Sequence, residues 1–298
     1  MSQRTDIHKV LIIGSGPIII GQACEFDYSG TQACKALRSL GYEIVLVNSN
    51  PATIMTDPEI ADVTYIEPLN AERIEQIIAK ERPDAVLPNL GGQSGLNLCS
   101  ELAQKGILDK YGVEVIGVQV DAIERGEDRI EFKKTMESLG IEMARSEVAY
   151  SVDEALKIAD ELGYPVVLRP AYTMGGTGGG IVYNVEELKT VCARGLQASL
   201  VGQVLVEECV IGWEELELEV VRDKTGKMIT VCFIENIDPM GVHTGDSFCS
   251  APMLTISEEV QKRLQEKSYK IVEAIQVIGG TNVQWAHDPK TDRDIIIE

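Results

Sequence analysis

The chain has 298 residues, of which 44% are hydrophobic and only 5% aromatic, and its formal net charge is −20. This length predicts about two domains with mainly aliphatic cores, and the negative charge argues against nucleic acid or an anionic membrane as a partner because both would be repelled. The sequence has no apolar run of the roughly 20 residues that a membrane span needs and no secretory signal, so we expect a cytoplasmic protein. None of the seven cysteines forms a C-x-x-C pair, which argues against a zinc ribbon or a redox pair.

The first third of the chain alternates predicted strands with predicted helices. The apolar run Lys9–Ile13 predicts a buried parallel strand, and Ser29 is positioned to cap a helix over residues 30–40 that ends at Gly41. Further strands are predicted at residues 43–47, 85–88 and 113–117, and further helices at residues 71–80 and 96–105. This alternation predicts βαβ units around a parallel sheet, whose ligands bind at the carboxyl ends of the strands.

The pattern changes after Asp121, and we place a domain boundary near residue 125, which gives domains at residues 1–125 and 126–298. A helix is predicted over residues 129–138, and two capping boxes, Ser151 with Glu154 and Asn184 with Glu187, each predict the start of a helix. The other elements predicted in this domain are strands, which dominate after residue 200; they lie at residues 165–169, 203–208, 215–222, 228–235, 281–287 and 294–298. The second domain is therefore predicted to be α+β with a mainly antiparallel sheet.

The first glycine-rich loop, Gly14-Ser15-Gly16-Pro17, follows a predicted strand as a dinucleotide-binding loop would. The next glycine, Gly21, comes two positions too late for G-x-G-x-x-G, and the second strand is followed by Asn48 where the fingerprint needs an acid. A tight turn or an interface is the favoured interpretation, and a dinucleotide-dependent oxidoreductase is kept as the weaker alternative.

The second glycine-rich loop has five glycines within residues 175–180. Ordering so many glycines is entropically costly, and an ordinary turn needs only one or two. Such a loop is typical of a segment whose N–H groups cover a polyphosphate, and Arg169 at the end of the preceding strand adds a positive charge suited to phosphate. The alternative is a flexible surface loop beside an arginine in an unrelated ion pair.

Two acidic features follow the glycine loop. Alternation places Glu215, Glu217 and Glu219 on one face of a strand, either as an exposed acidic face or as ligands for ribose hydroxyls or a metal. Near the C-terminus, a turn centred on Thr291 would place Gln284 directly opposite Glu298. Two adjacent oxygen ligands suit Mg²⁺, although a plain surface pair is an equally good interpretation.

Long sequence segments resemble the ATP-grasp family, and more closely the carbamoyl-phosphate synthase large-subunit family. The segments are GQACEFDYSG at residues 21–30, VNSNPATIMTD at 47–57, GGQ at 91–93, EDR at 127–129, residues 169–180, EN at 235–236 and MGVHTGDS at 240–247. The resemblance covers essentially the whole chain. It implies a Rossmann-like pre-ATP-grasp domain followed by an ATP-grasp domain. The pattern T-M-G-G-x-G-G-G at residues 173–180 resembles the half of that subunit that phosphorylates bicarbonate.

The resemblance also implies a nucleotide site and its ligands. Arg129 and Arg169 match phosphate-binding arginines, and Glu215 matches a ribose-binding acid; we interpret these three as the catalytic residues. The full set of implied cofactor-binding residues is Arg129, Arg169, Gly175, Gly176, Glu208, Val210, Glu215, Gly241, Val242, His243, Gln284 and Glu298. Gln284 and Glu298 are the implied ligands of Mg²⁺ or Mn²⁺, and a potassium ion is implied nearby.

The implied reaction is ATP-dependent phosphorylation of bicarbonate to carboxyphosphate. It is the first step of glutamine-dependent carbamoyl phosphate synthesis for arginine and pyrimidine biosynthesis. The implied partners are ammonia from a glutaminase small subunit and the half of the large subunit that phosphorylates carbamate. The family continues with Asn-Pro-Arg after the acid that corresponds to Glu298, so we expect a truncated ATP-grasp domain that is not active alone. The alternatives are another ATP-grasp ligase, such as a biotin-dependent carboxylase, and a nucleotide-binding module without turnover.

Overall fold

The structure, a computed structural model, describes residues 4–17, 23–127, 129–170, 179–199, 202–242 and 247–297. Strands of the first region are β1 Lys9–Ile13, β2 Glu43–Asn48, β3 Val63–Ile66, β4 Ala85–Leu87 and β5 Glu114–Val115. They form one parallel sheet in the spatial order β3-β2-β1-β4-β5. The predicted parallel sheet is therefore confirmed, and the edge strand β3 is an addition that the sequence analysis missed.

Helices of the first region cover both faces of this sheet. They are α1 Ala23–Ser39, α2 Ala71–Glu81, α3 Gly92–Gln104, α4 Ile107–Tyr111 and α5 Val120–Glu127. Along β1, Leu11 and Ile13 pack into the core on one face, while Val10 and Ile12 pack into the core on the other. The prediction that Ser29 caps the first helix was wrong, because residues 23–28 are already helical and Ser29 lies inside α1.

A second region begins with the helix α6 Arg129–Leu139 and continues into a four-stranded antiparallel sheet. The strands are β6 Ser146–Ala149, β7 Val166–Pro170, β8 Gly180–Val182 and β9 Val204–Glu208, in the order β6-β9-β7-β8. The helices α7 Val152–Leu162 and α8 Val185–Ala198 complete this small subdomain, which we define as residues 146–208. Both predicted capping boxes are confirmed, since Ser151 and Asn184 accept hydrogen bonds from the amides of Glu154 and Glu187.

The larger sheet of the second region is also antiparallel, and one helix covers it. Its strands are β10 Glu214–Arg222, β11 Met228–Asn236, β12 Cys249–Ser250, β13 Gly279–Asp288 and β14 Arg293–Ile296, in the order β12-β11-β10-β13-β14. The helix α9 Glu258–Ile275 was missed by the prediction that strands dominate this part of the chain. Trp285 is fully buried beneath α9, and its Nε1 donates to Ser268 Oγ at 2.9 Å.

The two regions are in direct contact, both between backbones and through a side chain. A Cβ atom added at Gly279 would lie 1.8 Å from the carbonyl oxygen of Gly117, so the two backbones touch where β13 begins. Arg125 on α5 donates to the carbonyl oxygen of Ile275 at 3.0 Å. The chain thus has the expected α/β architecture, a parallel-sheet domain followed by an α+β domain. None of the helices in the described ranges has the length and apolarity that crossing a membrane requires.

Candidate functional site

A face of carboxylates and carboxamides lies on the larger sheet, on the side opposite α9. We call it the acidic face; its members are Glu215, Glu217, Glu219, Asn236, Asn282 and Gln284. The predicted alternation along β10 is confirmed, because Leu216, Leu218 and Val220 are buried beneath α9. The face thus combines a packed core on one side with a row of oxygen-bearing side chains on the other.

Hydrogen bonds from amide groups hold these carboxylates in place. Gln284 Nε2 donates to Glu215 Oε1 at 2.5 Å, and Asn282 Nδ2 donates to both Glu217 and Glu219 at 2.8 Å. Asn236 Nδ2 donates to the other oxygen of Glu217 at 2.7 Å. Glu215 is 2% exposed and the other two acids are half-buried, so this is an ordered polar layer, not a plain exposed strand face.

The hairpin that carries Gln284 has a register one residue away from the prediction. Its strands pair His287 with Asp294 and Trp285 with Ile296, and the amide of Ile297 donates to the carbonyl oxygen of Gln284 at 2.8 Å. The residue opposite Gln284 is therefore Ile297, and the predicted direct pairing of Gln284 with Glu298 was wrong. The turn has four residues, and its centre lies before Thr291 and not on it. Glu298 itself lies outside the described residues.

Two loops meet at the end of the acidic face. Residues 209–213 follow β9, and residues 238–242 follow β11. The amide of Gly212 donates to the carbonyl oxygen of Met240 at 3.2 Å, and the amide of Met240 donates to the carbonyl oxygen of Trp213 at 2.9 Å. These bonds bring the loop of Val210 against the loop of Gly241 and Val242, three residues that the sequence analysis assigned to one site.

Gly241 occupies a conformation that favours glycine, with φ of +113°. A Cβ atom there would also approach the Ile211 side chain to 3.2 Å, so the two loops are tightly packed at this point. The neighbouring Val242 is 40% exposed and therefore presents its side chain to solvent or to a ligand.

Arg169 lies near the end of β7 with its side chain half exposed. Its Nη2 is 3.0 Å from Glu207 Oε1 on the adjacent strand β9. An ion pair, which the sequence analysis gave as the alternative to phosphate binding, is therefore present, and about half of the Arg169 side chain remains exposed. An arginine held by one carboxylate on a sheet keeps a fixed direction, which suits it to bind phosphate oxygens.

Glu208 is buried at the end of β9, where two arginines surround its carboxylate. Arg145 donates through its backbone amide at 2.9 Å and through Nε at 2.8 Å, and Arg293 donates through Nη1 at 3.0 Å and Nη2 at 2.8 Å. Burial alone would raise the pKa of Glu208, but the hydrogen bonds from Arg293 and Arg145 outweigh it and hold the pKa below its usual range. The side chain of Glu208 is thus occupied by arginines.

Several predicted site residues lie outside the described residues, namely Gly175, Gly176, His243 and Glu298. Arg129 begins α6, but its side chain is not among those described. Asn236 and Asn282 were not predicted as site residues, although their positions on strands flanking β10 were a usable signal. Arg145 and Arg293 were not predicted either, because no local pattern distinguishes them from surface arginines.

Solved structures of other proteins share this fold. A biotin carboxylase from Campylobacter jejuni in complex with β,γ-ATP matches 98% of this chain and 64% of its own, with a TM-score of 0.73 and 21% identity. The biotin carboxylase domain of the Hydrogenobacter thermophilus 2-oxoglutarate carboxylase, in complex with MgADP, ADP and bicarbonate, matches 99% of this chain and 64% of its own, with a TM-score of 0.74 and 24% identity. The fold is therefore that of ATP-grasp enzymes with a preceding parallel-sheet domain.

Sequence relatives define the family more narrowly. Residues 6–125 match the carbamoyl phosphate synthase preATP-grasp domain, and residues 128–298 match the carbamoyl-phosphate synthase L chain ATP binding domain. Over its full length, the chain is 57% identical to the large chain from Thermotoga neapolitana and to the large chain N-terminal section from Aquifex aeolicus. It spans 27% of the former and 54% of the latter. The chain belongs to the carbamoyl phosphate synthase large-chain family.

Proposed function

We propose that this chain is the part of a carbamoyl phosphate synthase that phosphorylates bicarbonate with ATP. The observation that carries the proposal is the 57% identity with an N-terminal section of the large chain, which runs through the whole sequence. The site geometry supports it, because the acidic face and the two loops after β9 and β11 come together beside the small subdomain. ATP-grasp neighbours with bound nucleotides support the same choice of fold and ligand.

In the proposed reaction, a bicarbonate oxygen attacks the γ-phosphorus of ATP, and the bond between that phosphorus and the ADP oxygen breaks. The products are carboxyphosphate and ADP. Arg129 and Arg169 neutralise the charge that spreads over the transferred phosphoryl group, and residues 175–180 cover the phosphates. Glu215 binds the ribose, Glu208 and Val210 hold the adenine through their segment, and Gly241, Val242 and His243 line the pocket. The chain mainly positions the reactants, since phosphoryl transfer needs no covalent intermediate.

Gln284 and Glu298 are the ligands that we propose for a divalent metal. The amide nitrogen of Gln284 donates a hydrogen bond to Glu215, so its carboxamide oxygen is the atom that would bind the metal. Glu298 would supply a carboxylate. Such hard oxygen donors are those that Mg²⁺ and Mn²⁺ take in proteins. When bound, the metal would neutralise phosphate charge. A potassium ion near this site, which the family resemblance implies, belongs to the same proposal.

Further partners belong to the proposal as well. Ammonia released by a glutaminase small subunit would attack the carboxyl carbon of carboxyphosphate, which gives carbamate and releases inorganic phosphate. The other half of the large chain would phosphorylate that carbamate for arginine and pyrimidine biosynthesis. We propose that the reaction takes place in the cytoplasm. The six described cysteines are unpaired, in keeping with a reducing compartment.

Bicarbonate-dependent release of ADP tests this proposal. The chain should first bind MgADP in a calorimetric titration. A chimera in which it replaces the matching residues of the Aquifex aeolicus N-terminal section should then release ADP faster when bicarbonate is added. Stimulation by biotin but not by bicarbonate alone would favour a biotin-dependent carboxylase, and tight MgADP binding without turnover would favour a nucleotide-binding module.

A further inference from the structure

The small subdomain is joined to the rest of the second region at one point, where the chain enters and leaves side by side. The chain enters at Arg145, just before β6, and leaves at Glu208, the last residue of β9. The amide of Glu208 donates to the carbonyl oxygen of Arg145 at 2.9 Å, and the amide of Arg145 donates to Glu208 Oε1 at 2.9 Å. We call this two-strand crossing the pivot.

Arg293, in the C-terminal hairpin, contacts the chain on both sides of the pivot. Its guanidinium donates to both oxygens of Glu208, at 2.8 and 3.0 Å, and its Nε donates to Glu142 at 2.7 Å. The guanidinium also lies over the ring of Trp213, 5.7 Å from the centroid. One side chain thus connects the hairpin to the entry segment, to the exit residue and to the loop of residues 209–213.

The geometry of these contacts fixes direction as well as distance. A planar guanidinium that binds a carboxylate through two parallel hydrogen bonds restrains the carboxylate in its own plane, which a lysine ammonium cannot do. Glu208 is buried, so water cannot easily replace Arg293 as the partner of its carboxylate. Because residues 209–213 continue the chain from Glu208, the same pair also restrains the start of this loop.

We propose that Arg293 is a positioning residue, which sets the orientation of the small subdomain and of residues 209–213 through Glu208. This inference rests on the proposed function, which assigns the segment of Glu208 and Val210 to the adenine. The side chain of Glu208 then holds the pivot through its arginine partners, and its backbone lies in the segment proposed to bind the adenine. The described contacts of Arg293 are with Glu142, Glu208 and Trp213, so we infer that it acts by holding the pivot in the arrangement that nucleotide binding requires.

A matched control is available on the other face of the same hairpin. Arg263 on α9 donates to Asp294 and to Asp292, so it holds the hairpin by carboxylate contacts of the same kind. It does not contact Glu208 in the described structure. Arg263→Met removes these contacts but keeps the pair of Arg293 and Glu208, so the pivot should change little, whereas Arg293→Met removes that pair itself.

The first measurement is amide hydrogen exchange in the absence of nucleotide, on peptides covering residues 142–149 and 204–213. Arg293→Met should raise exchange there about tenfold, Arg293→Lys should lie between it and the original chain, and Arg263→Met should leave these peptides unchanged. Equal exchange in Arg293→Met and the original chain, or an equal rise in Arg263→Met, would overturn the proposal. Should Arg293→Met fail to fold, Glu208→Gln weakens the same pair while keeping its shape, and the same comparison applies.

The second measurement is the dissociation constant for MgADP. Arg293→Met should weaken binding about tenfold and Arg263→Met less than about twofold, with Arg293→Lys intermediate. An unchanged affinity in Arg293→Met would overturn the positioning role. If the original chain does not bind MgADP at all, the proposed function fails, while the exchange comparison still decides whether Arg293 controls the pivot.

Discussion

Asp294 provides the sharpest test of how the C-terminal hairpin is held. Its side chain is 1% exposed and accepts hydrogen bonds from Arg263 at 2.6 and 2.9 Å, from Lys267 at 3.0 Å and from His287 Nδ1 at 2.8 Å. Replacing it by asparagine keeps the shape but leaves two cations against a neutral amide. Breaking a buried pair costs roughly 3–5 kcal/mol. Arg263 and Lys267 are about 30% exposed and regain some water, so we expect the free energy of unfolding to fall by about 3 kcal/mol.

Urea unfolding followed by tryptophan fluorescence measures this loss, because the only two tryptophans, Trp213 and Trp285, both lie in the second region. The control is Asp292→Asn, since Asp292 pairs with the same Arg263 but is largely exposed and should contribute little. If Asp294→Asn destabilised the chain no more than Asp292→Asn, the account of the hairpin would be refuted.

The pH dependence of the Asp294→Asn effect gives a second check. Burial alone would raise the pKa of Asp294, but the hydrogen bonds from Arg263, Lys267 and His287 outweigh it and lower the pKa. A carboxylate with a lowered pKa in the folded state stabilises the fold above its unfolded pKa, and this stability is lost as the pH falls through the folded pKa. The difference between the variant and the original chain should therefore be constant near neutral pH and shrink only below about pH 4.

Three further predictions concern the domain contact and the site. Gly279→Ala should destabilise the chain by about 3 kcal/mol or more in urea unfolding, because the new methyl group would overlap the Gly117 carbonyl, whereas Gly280→Ala should be nearly neutral. Glu215→Gln should lower kcat/KM for ATP about 100-fold in the bicarbonate-dependent assay, and Glu219→Gln, farther along the acidic face, much less. Arg169→Ala should raise KM for ATP about tenfold, while Arg73→Ala in the first domain should leave it unchanged; equal KM values in the two variants would contradict the assignment of Arg169.

The parallel sheet could be predicted because its central strands are buried on both faces and therefore read as continuous aliphatic runs. The start of α1 could not, since Ser29 and Gly30 together look like a helix start. In the structure, Gly30 lies inside the helix, and a Cβ atom there would approach Met55 Cε to 2.4 Å. The glycine is needed for close packing against a residue 25 positions away, which a local pattern does not show.

The acidic face could be predicted from the sequence, but the hairpin register and the partners of its side chains could not. Alternation along β10 correctly separated Glu215 from Leu216, because strand periodicity is a local property. The hairpin register was predicted one residue off because the turn depends on Asp288, whose side chain accepts from Lys290 and Thr291, and on Asp292, whose φ is +57°. The pairing of Glu208 with Arg293 joins residues 85 positions apart, so only the three-dimensional fold reveals it.

The most direct test of the proposed phosphorylation follows the oxygen atoms. Bicarbonate labelled with ¹⁸O is supplied with ATP and Mg²⁺ to the chimera, without ammonia, and the reaction is stopped before the bicarbonate exchanges its label with water. The released inorganic phosphate is then analysed by mass spectrometry. Attack of bicarbonate on the γ-phosphorus, followed by breakdown of carboxyphosphate to carbon dioxide, predicts one ¹⁸O atom in each phosphate. Phosphate that carries only oxygen from water would mean simple ATP hydrolysis and would contradict the account.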